Sequence, residues 1–287
     1  MSETTIIIFS RNRTLQLKSL LRAIQYHSDV QANEIHVLYT TKPELPYESL
    51  IEEFDCEFIE QQNFFHDLES IVKKNSSKYT WFLVDDLIFR EAFSLRQIER
   101  FMNDNRDVET FSFRLGQNIR DGSPPEFDQP DDGIIAWNTA PGLGRTWNYF
   151  WDMSSSLYRT EQVLGYLERC NPKNITFPNP LESHYYSVTP SYLTNRHSLK
   201  GLVRRARFAF RSKSNKIASW QKSKCFTQGV NLVANRGIKY QESFSPEELH
   251  ARMLEGFIID YKSLENAEIL RPNAGIQHFR LIKDEAR

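Results

Sequence analysis

The chain opens with a short, unbroken apolar run, "TTIIIFS" (4–10), of the length and β-branched content of a buried strand. In the "RNRTLQLKSLLRAIQYHS" that follows, Leu17, Leu20, Leu21 and Ile24 recur at helical spacing, with Thr14 as the expected N-cap. The alternation continues. "EIHVLYTT" (34–41) reads as a strand and "YESLIEEF" (47–54) as a short helix. "CEFIEQ" (56–61) is a third strand, and "FHDLESIVKKN" (65–75) a helix with Leu68, Ile71 and Val72 on one face. "YTWFLVDDLIFR" (79–90) then supplies the fourth strand, "SLRQIERFMNDN" (94–105) a helix, and "VETFSFRLG" (108–116) an alternating strand. Strands interleaved with helices predict an α/β fold whose mostly parallel sheet carries helices on both faces.

The pattern changes after residue 116. "QNIRDGSPPEFDQPDDGIIAWNTAPGLGRTW" (117–147) is rich in Pro, Gly, Asp and Asn and reads as loops and short pieces. Such long irregular stretches in a compact domain are usually functional or mobile. Trp137, Trp147, Tyr149 and Trp151 cluster in or just after it. Large aromatics serve as core, and their faces also stack on sugar rings; the expectation is core for some and ligand contact for one or two.

One feature of the fourth strand is unusual. Asp85 and Asp86 sit side by side where the apolar run ends, at the carboxyl edge where open α/β sheets gather their ligands. Burying either carboxylate without a partner costs several kcal/mol, roughly. A positive partner is therefore expected: an arginine, a metal or a helix N-terminus.

Composition narrows the classes. With 287 residues, 40% of them hydrophobic and 25% charged, the chain has material for one large α/β domain or two smaller ones. Cys56, Cys170 and Cys225 are odd in number and widely spaced, so neither a disulfide framework nor a metal knuckle is expected, and a reducing, cytoplasmic setting is. The first residues, "MSETTIIIFS", lack the basic start of a signal peptide, and no apolar run approaches a membrane span. The net charge of −1 conceals an asymmetry. Residues 196–224 hold ten Lys/Arg and no acid, leaving 26 basic against 37 acidic residues elsewhere.

Several blocks in order, "FSRNRTLQL", "VLYTT", "FIEQQNFFHDL", "FLVDDLIF", "FSFRLGQN" and "FPNPLES", resemble a group of bacterial nucleotide-sugar glycosyltransferases of the GT-A fold, family 2-like. The likeness runs to about Ser183 and returns near "GVNLV" and in "EELHARMLEGFIIDYKSL…GIQHFRL" (247–281). It implies one GT-A-like, Rossmann-like domain over 1–287. Residues 1–116 would be the nucleotide-sugar-binding half. Residues 117–287 would be the acceptor half, with a basic insertion at about 190–224.

The resemblance further implies transfer of a sugar from a nucleotide-diphosphate donor to a glycan or lipid-linked acceptor, assisted by Mn²⁺ or Mg²⁺. Asp85, Asp86 and His278 would hold the metal, whose hard oxygen ligands suit such ions. Asp85 would also serve the donor, with Ser10, Arg11, Arg13 and Arg114, the arginines through charge-assisted hydrogen bonds. Glu182, with Asp152 as rival, would take the acceptor's proton as general base. Two departures stand out. Relatives often carry an acid where this chain has Leu87, and an acid-glycine pair near Ser155-Ser156. They motivate a rival reading, a non-catalytic nucleotide- or glycan-binding descendant acting in an assembly.

In the basic segment, Leu199, Val203, Ala206 and Phe210 form a helical stripe beside Lys200, Arg204, Arg207 and Arg211. That pattern suits a segment lying on an anionic membrane surface, with a peripheral position at the inner face of a membrane, and equally one that covers the cleft and attracts a charged acceptor. No nucleic-acid recognition motif occurs, and the remainder is acidic, so nucleic acid is not expected as a partner.

Overall fold

The computed structural model describes residues 3–188, 215–231 and 244–285. Its spine is a nine-stranded mixed sheet. In chain order the strands are β1 (Thr4–Arg11), β2 (Ile35–Thr40), β3 (Glu57–Glu60), β4 (Tyr79–Val84), β5 (Leu87–Phe89), β6 (Val108–Ser112), β7 (Asp128–Asp131), β8 (Ile134–Asn138), β9 (Ser156–Arg159), β10 (Lys216–Trp220), β11 (Cys225–Thr227), β12 (Phe257–Ile259) and β13 (Leu281–Lys283). The helices are α1 (Thr14–His27), α2 (Glu48–Glu53), α3 (Phe64–Asn75), α4 (Leu95–Asp104), α5 (Arg145–Asn148), α6 (Thr160–Leu167), α7 (Pro178–Val188) and α8 (Pro246–Leu254).

The central sheet runs β3-β2-β1-β4-β9-β6-β10-β8-β7. The first four strands are mutually parallel, as the interleaved helices require. Antiparallel β9 then enters between β4 and β6, and β8 and β7 extend the far edge antiparallel to their neighbours. Both halves of the chain thus contribute to one sheet. Two small sheets, β11-β5 and β12-β13, lie outside it.

The unbroken apolar run of β1 is explained by burial on both faces. Ile6 and Ile8 enter one core with α1, α4 and α8; Ile7 and Phe9 enter the other with α3, α6 and the aromatic cluster. Trp137, Trp147 and Trp151 are buried in that second core, so three of the four aromatics are packing residues. β8, apolar and buried over its first four residues, Ile134 to Trp137, lies inside the region that the sequence reads as loops and short pieces.

Thr14 is not the cap of α1. It is the first helical residue, and its hydroxyl lies 2.8 Å from His250 Nδ1. The fourth strand also ends earlier than its apolar content suggests. β4 stops at Val84, Asp85 and Asp86 make a turn, and β5 pairs antiparallel with β11. The order β3-β2-β1-β4 reverses between β1 and β4, which makes their carboxyl ends a topological switch point. Phe9 pairs with Val84 there, bringing Ser10 to Arg13 beside the acidic turn.

Of the basic segment, residues 216–220 form a buried inner strand, β10, which makes this end of the proposed insertion part of the sheet. The stripe from Leu199 to Arg211 lies outside the described residues. Among the described residues, no helix is long and apolar enough to cross a membrane.

Candidate active site

The acidic turn has an arginine partner. Arg13 Nη1 donates to Asp85 Oδ1 at 3.0 Å and to Asp86 Oδ2 at 2.8 Å. Its position follows from the backbone of Asn12, which adopts a left-handed φ of 55°, a conformation Asn tolerates better than most residues. Lys42 N–H donates to the Asn12 side chain and fixes the turn. Arg13 is thereby folded back over the strand ends, while Arg11 stays exposed.

Asp85 is buried, and its other oxygen is filled as well. Ser10 Oγ and the Arg11 N–H each donate to Oδ2 at 3.0 Å. Tyr47 Oη lies 2.7 Å from Ser10 Oγ and accepts from the Arg13 N–H at 3.3 Å, closing a short relay. Burial raises the Asp85 pKa and Arg13 opposes the rise. Burial likewise works against the charge of Arg13, but Asp86 and Asp85 outweigh it and hold the guanidinium protonated. On its far side Arg13 donates Nε–H to Asn231 Oδ1 (2.9 Å) and Nη2–H to Asn231 O (2.5 Å), and Gln16 also donates to that side chain.

Arg13, Asp86 and Asn231 line a cavity of about 930 Å³, whose opposite wall is the C-terminal segment from Glu268 to His278. His278 faces this cavity with its ring edge-on to Phe226. Ser10 and the Arg11 side chain do not line it. Ser10 through its hydroxyl and Arg11 through its backbone N–H reach the site by way of the Asp85 carboxylate.

A second cavity of about 480 Å³ adjoins the first. Asp121, Thr227, Pro272 and Asn273 line both. The second holds Arg114, Asp152, Tyr149 and Glu182 together. Arg114 Nη2 donates to Asp152 Oδ2 at 2.6 Å, and its Nη1 donates to Thr227 Oγ1 (2.8 Å) and Asn273 Oδ1 (3.2 Å) on the shared wall. Ser154 N–H holds the other Asp152 oxygen at 2.9 Å. Glu182, on α7, accepts the Met153 N–H at 2.9 Å. Burial, and then the charge of Asp152, push its pKa up to about 7. That is the range in which a carboxylate accepts and returns a proton at neutral pH. Tyr149 lines the cavity beneath the Arg145 guanidinium, 5.4 Å from the ring centroid, and is the aromatic that meets the cleft.

The two departures from the family pattern have structural settings. Leu87 is fully buried at the start of β5, so no third acid extends the turn. Ser155 adopts φ 148°, a backbone conformation that favours glycine.

A divalent ion does not fit the acidic turn as it stands. Such ions sit about 2.0–2.6 Å from their oxygen ligands, and a guanidinium nitrogen already occupies the space between the carboxylates. Among the described residues, no three His, Cys, Asp or Glu side chains are grouped to hold an ion.

Of the residues expected from the sequence, the structure brings Asp86 and His278 to one cavity and Glu182, Asp152 and Arg114 to the next. Sequence reasoning missed Asp121, Thr227, Asn231 and Asn273. Asp121 had a weak signal, an acid in a Gly/Pro-rich loop, and Asn231 lies in the resembling block "GVNLV"; Thr227 and Asn273 had none.

No family model matches the chain. A bifunctional glycosyltransferase, pgtA, from Dictyostelium discoideum is 28% identical over 184 residues, 55% of this chain. The match spans 24% of that protein, so this chain accounts for about a quarter of its length. TarS from S. aureus overlaps 79% of this chain and 36% of its own at 14% identity, with a TM-score of 0.45. A mannosyltransferase from Pyrobaculum calidifontis, solved with GDP-Man and Mn²⁺, overlaps 72% and 61% at 13% identity and a TM-score of 0.37. At TM-scores below 0.5 these overlaps fix neither an activity nor a ligand for this chain.

Proposed function

We propose that this chain is a glycosyltransferase that moves a sugar from a nucleotide-diphosphate donor to an acceptor hydroxyl. The observation that carries the reading is the pair of adjoining cavities at the switch point. One is lined by Arg13, Arg271 and His278, and the other presents a buried carboxylate with a pKa of about 7. The similarity to a glycosyltransferase over 55% of the chain supports the same class.

In this reading the donor lies in the larger cavity with its sugar toward the shared wall, and the acceptor hydroxyl lies in the smaller. Glu182 takes the hydroxyl proton as the acceptor oxygen bonds to the anomeric carbon. The bond from that carbon to the diphosphate oxygen breaks, and the nucleoside diphosphate leaves with both electrons. Its negative charge faces Arg13 and Arg271. Asp152 is less suited to be the base, because Arg114 and the Ser154 N–H hold both of its oxygens. Glu182 accepts from neutral donors, the Met153 N–H and the Tyr149 hydroxyl, and no ion pair among the described residues holds it. The acceptor is proposed to be a glycan or a lipid-linked sugar, for which a small cavity of alternating charges and Tyr149 is chemically apt.

The test is to incubate the protein with UDP- and GDP-sugars and measure release of nucleoside diphosphate by chromatography. At least one donor is expected to be turned over, slowly toward water and faster with an acceptor. Glu182→Gln should cut that rate about a hundredfold or more. Failure of every donor to bind by calorimetry overturns the reading.

A further inference from the structure

We propose that the guanidinium of Arg13 is the resident counter-cation of the Asp85-Asp86 pair, and that the cleft takes a nucleoside diphosphate without a divalent ion. The second clause rests on the donor-site reading above; the first stands without it.

Three observations converge. The Nη1 of Arg13 lies 3.0 and 2.8 Å from the two carboxylates, in the space a bridging ion would need. The guanidinium is fastened from behind by two hydrogen bonds to Asn231, so leaving that space means breaking four contacts at once. The remaining oxygens are poor in number. Asp85 Oδ2 is taken by Ser10 and Arg11, which leaves Asp86 Oδ1 as the one oxygen of the pair without a bond among the described residues. A single carboxylate oxygen and a histidine do not make a six-oxygen site for a hard cation.

Charge balance agrees. One guanidinium against two neighbouring carboxylates leaves at most one net negative charge on the turn. Arg271 joins Arg13 on the lining of that cavity, so two guanidinium groups, set among the lining acids Asp86, Asp121 and Glu268, are available to meet a diphosphate.

The experiment titrates the full chain with MnCl₂ and follows free Mn²⁺ by electron paramagnetic resonance. UDP and GDP are then titrated calorimetrically, with EDTA and with Mn²⁺. The wild type is expected to leave the Mn²⁺ signal unchanged into the millimolar range, and the affinity for nucleoside diphosphate to be the same in both buffers. Arg13→Gln should create Mn²⁺ binding, and adding Asp86→Asn should abolish it. Stoichiometric Mn²⁺ binding by the wild type, lost in Asp86→Asn, overturns the proposal, as does nucleotide binding that requires Mn²⁺. A folded Arg13→Gln variant that still ignores Mn²⁺ overturns the role given to Arg13. If circular dichroism shows that variant unfolded, the wild type and Asp86→Asn decide alone. Absence of nucleotide binding in either buffer removes the donor reading while the Mn²⁺ titration still judges Arg13.

Discussion

Arg114 Nη2 stands 2.6 Å from Asp152 Oδ2, whereas no ion pair reaches Glu182 among the described residues. The two carboxylates of the smaller cavity are therefore unequal. One is neutralised and held from two sides; the other is buried beside it and carries a raised pKa.

On the proposed reading, the pH dependence of transfer follows from Glu182. A base must be deprotonated to act, so the rate should rise as pH increases through about 7 and level off above it. Arg114 lowers the Glu182 pKa, so removing its charge should move the midpoint upward. A pH–rate profile of Arg114→Gln checks this. A midpoint that stays in place would show that Arg114 acts only on Asp152. The variant should also lose about 3–5 kcal/mol of stability, because it leaves Asp152 buried without its cation.

Stability should show the opposite pH trend. The folded pKa of Glu182 lies above that of the unfolded chain, so the folded state holds the proton more tightly. The associated stability is fully present below the unfolded value of 4.5 and is lost as pH rises to about 7. Glu182→Gln removes this dependence. Above pH 7 the variant should be more stable than the wild type, by at most on the order of 3 kcal/mol, while its transfer activity falls. Urea denaturation at pH 5 and pH 8 measures the difference. A variant less stable than the wild type at pH 8 would mean that Glu182 is anchored structurally.

Gly116, in the "FSFRLGQN" block, is required by a close crossing. A Cβ there would sit 2.5 Å from Ser223 N and 3.0 Å from Gln221 O, both backbone atoms that cannot turn aside. The same crossing is tied by Gln117 N–H to Gln221 O, and Asn118 reaches both Ser223 and Ile269 O beside the cavity wall. Gly116→Ala should lower stability by about 1–3 kcal/mol through forced backbone shifts. It should also weaken ligand binding in the larger cavity, because Ile269 and its neighbours line it. Thermal unfolding and calorimetry report the two effects, and an unchanged melting temperature would contradict the geometry.

How much of this was readable from the chain depended on whether a signal was local. β1, α1, β2, α3, β4 and α4 announce themselves because each carries its own apolar run or helical spacing, and the acidic turn is conspicuous as charge after an apolar run. β9 is different. Its four residues gain meaning only by pairing with both β4 and β6, across long stretches of chain. β8 is masked by the Pro and Gly around it. Arg11 and Arg13 look alike in the sequence, and the left-handed turn at Asn12 between them decides that one points to solvent and the other onto the carboxylates. Asn231 lies 218 positions from the arginine it holds, and nothing near it signals the contact.

The relay behind Asp85 gives the last prediction. Ser10 Oγ uses its hydrogen on Asp85 Oδ2, so the bond to Tyr47 Oη must be donated by the tyrosine. Tyr47 also accepts from the Arg13 N–H, and its ring stacks on Tyr39 with centroids 4.6 Å apart. Tyr47→Phe keeps the ring contact but removes one neutral donor and the long bond accepted from the Arg13 N–H, which should cost about 1–2 kcal/mol. Ser10→Ala removes a donor from a buried carboxylate and leaves Tyr47 without an acceptor, so its cost should be larger, about 2–3 kcal/mol. It should also make Asp85 harder to ionise and thereby loosen Arg13. Chemical denaturation of both variants gives the order. If Tyr47→Phe proves the more damaging, the hydrogen bonds run the other way and Asp85 is not the end of the chain.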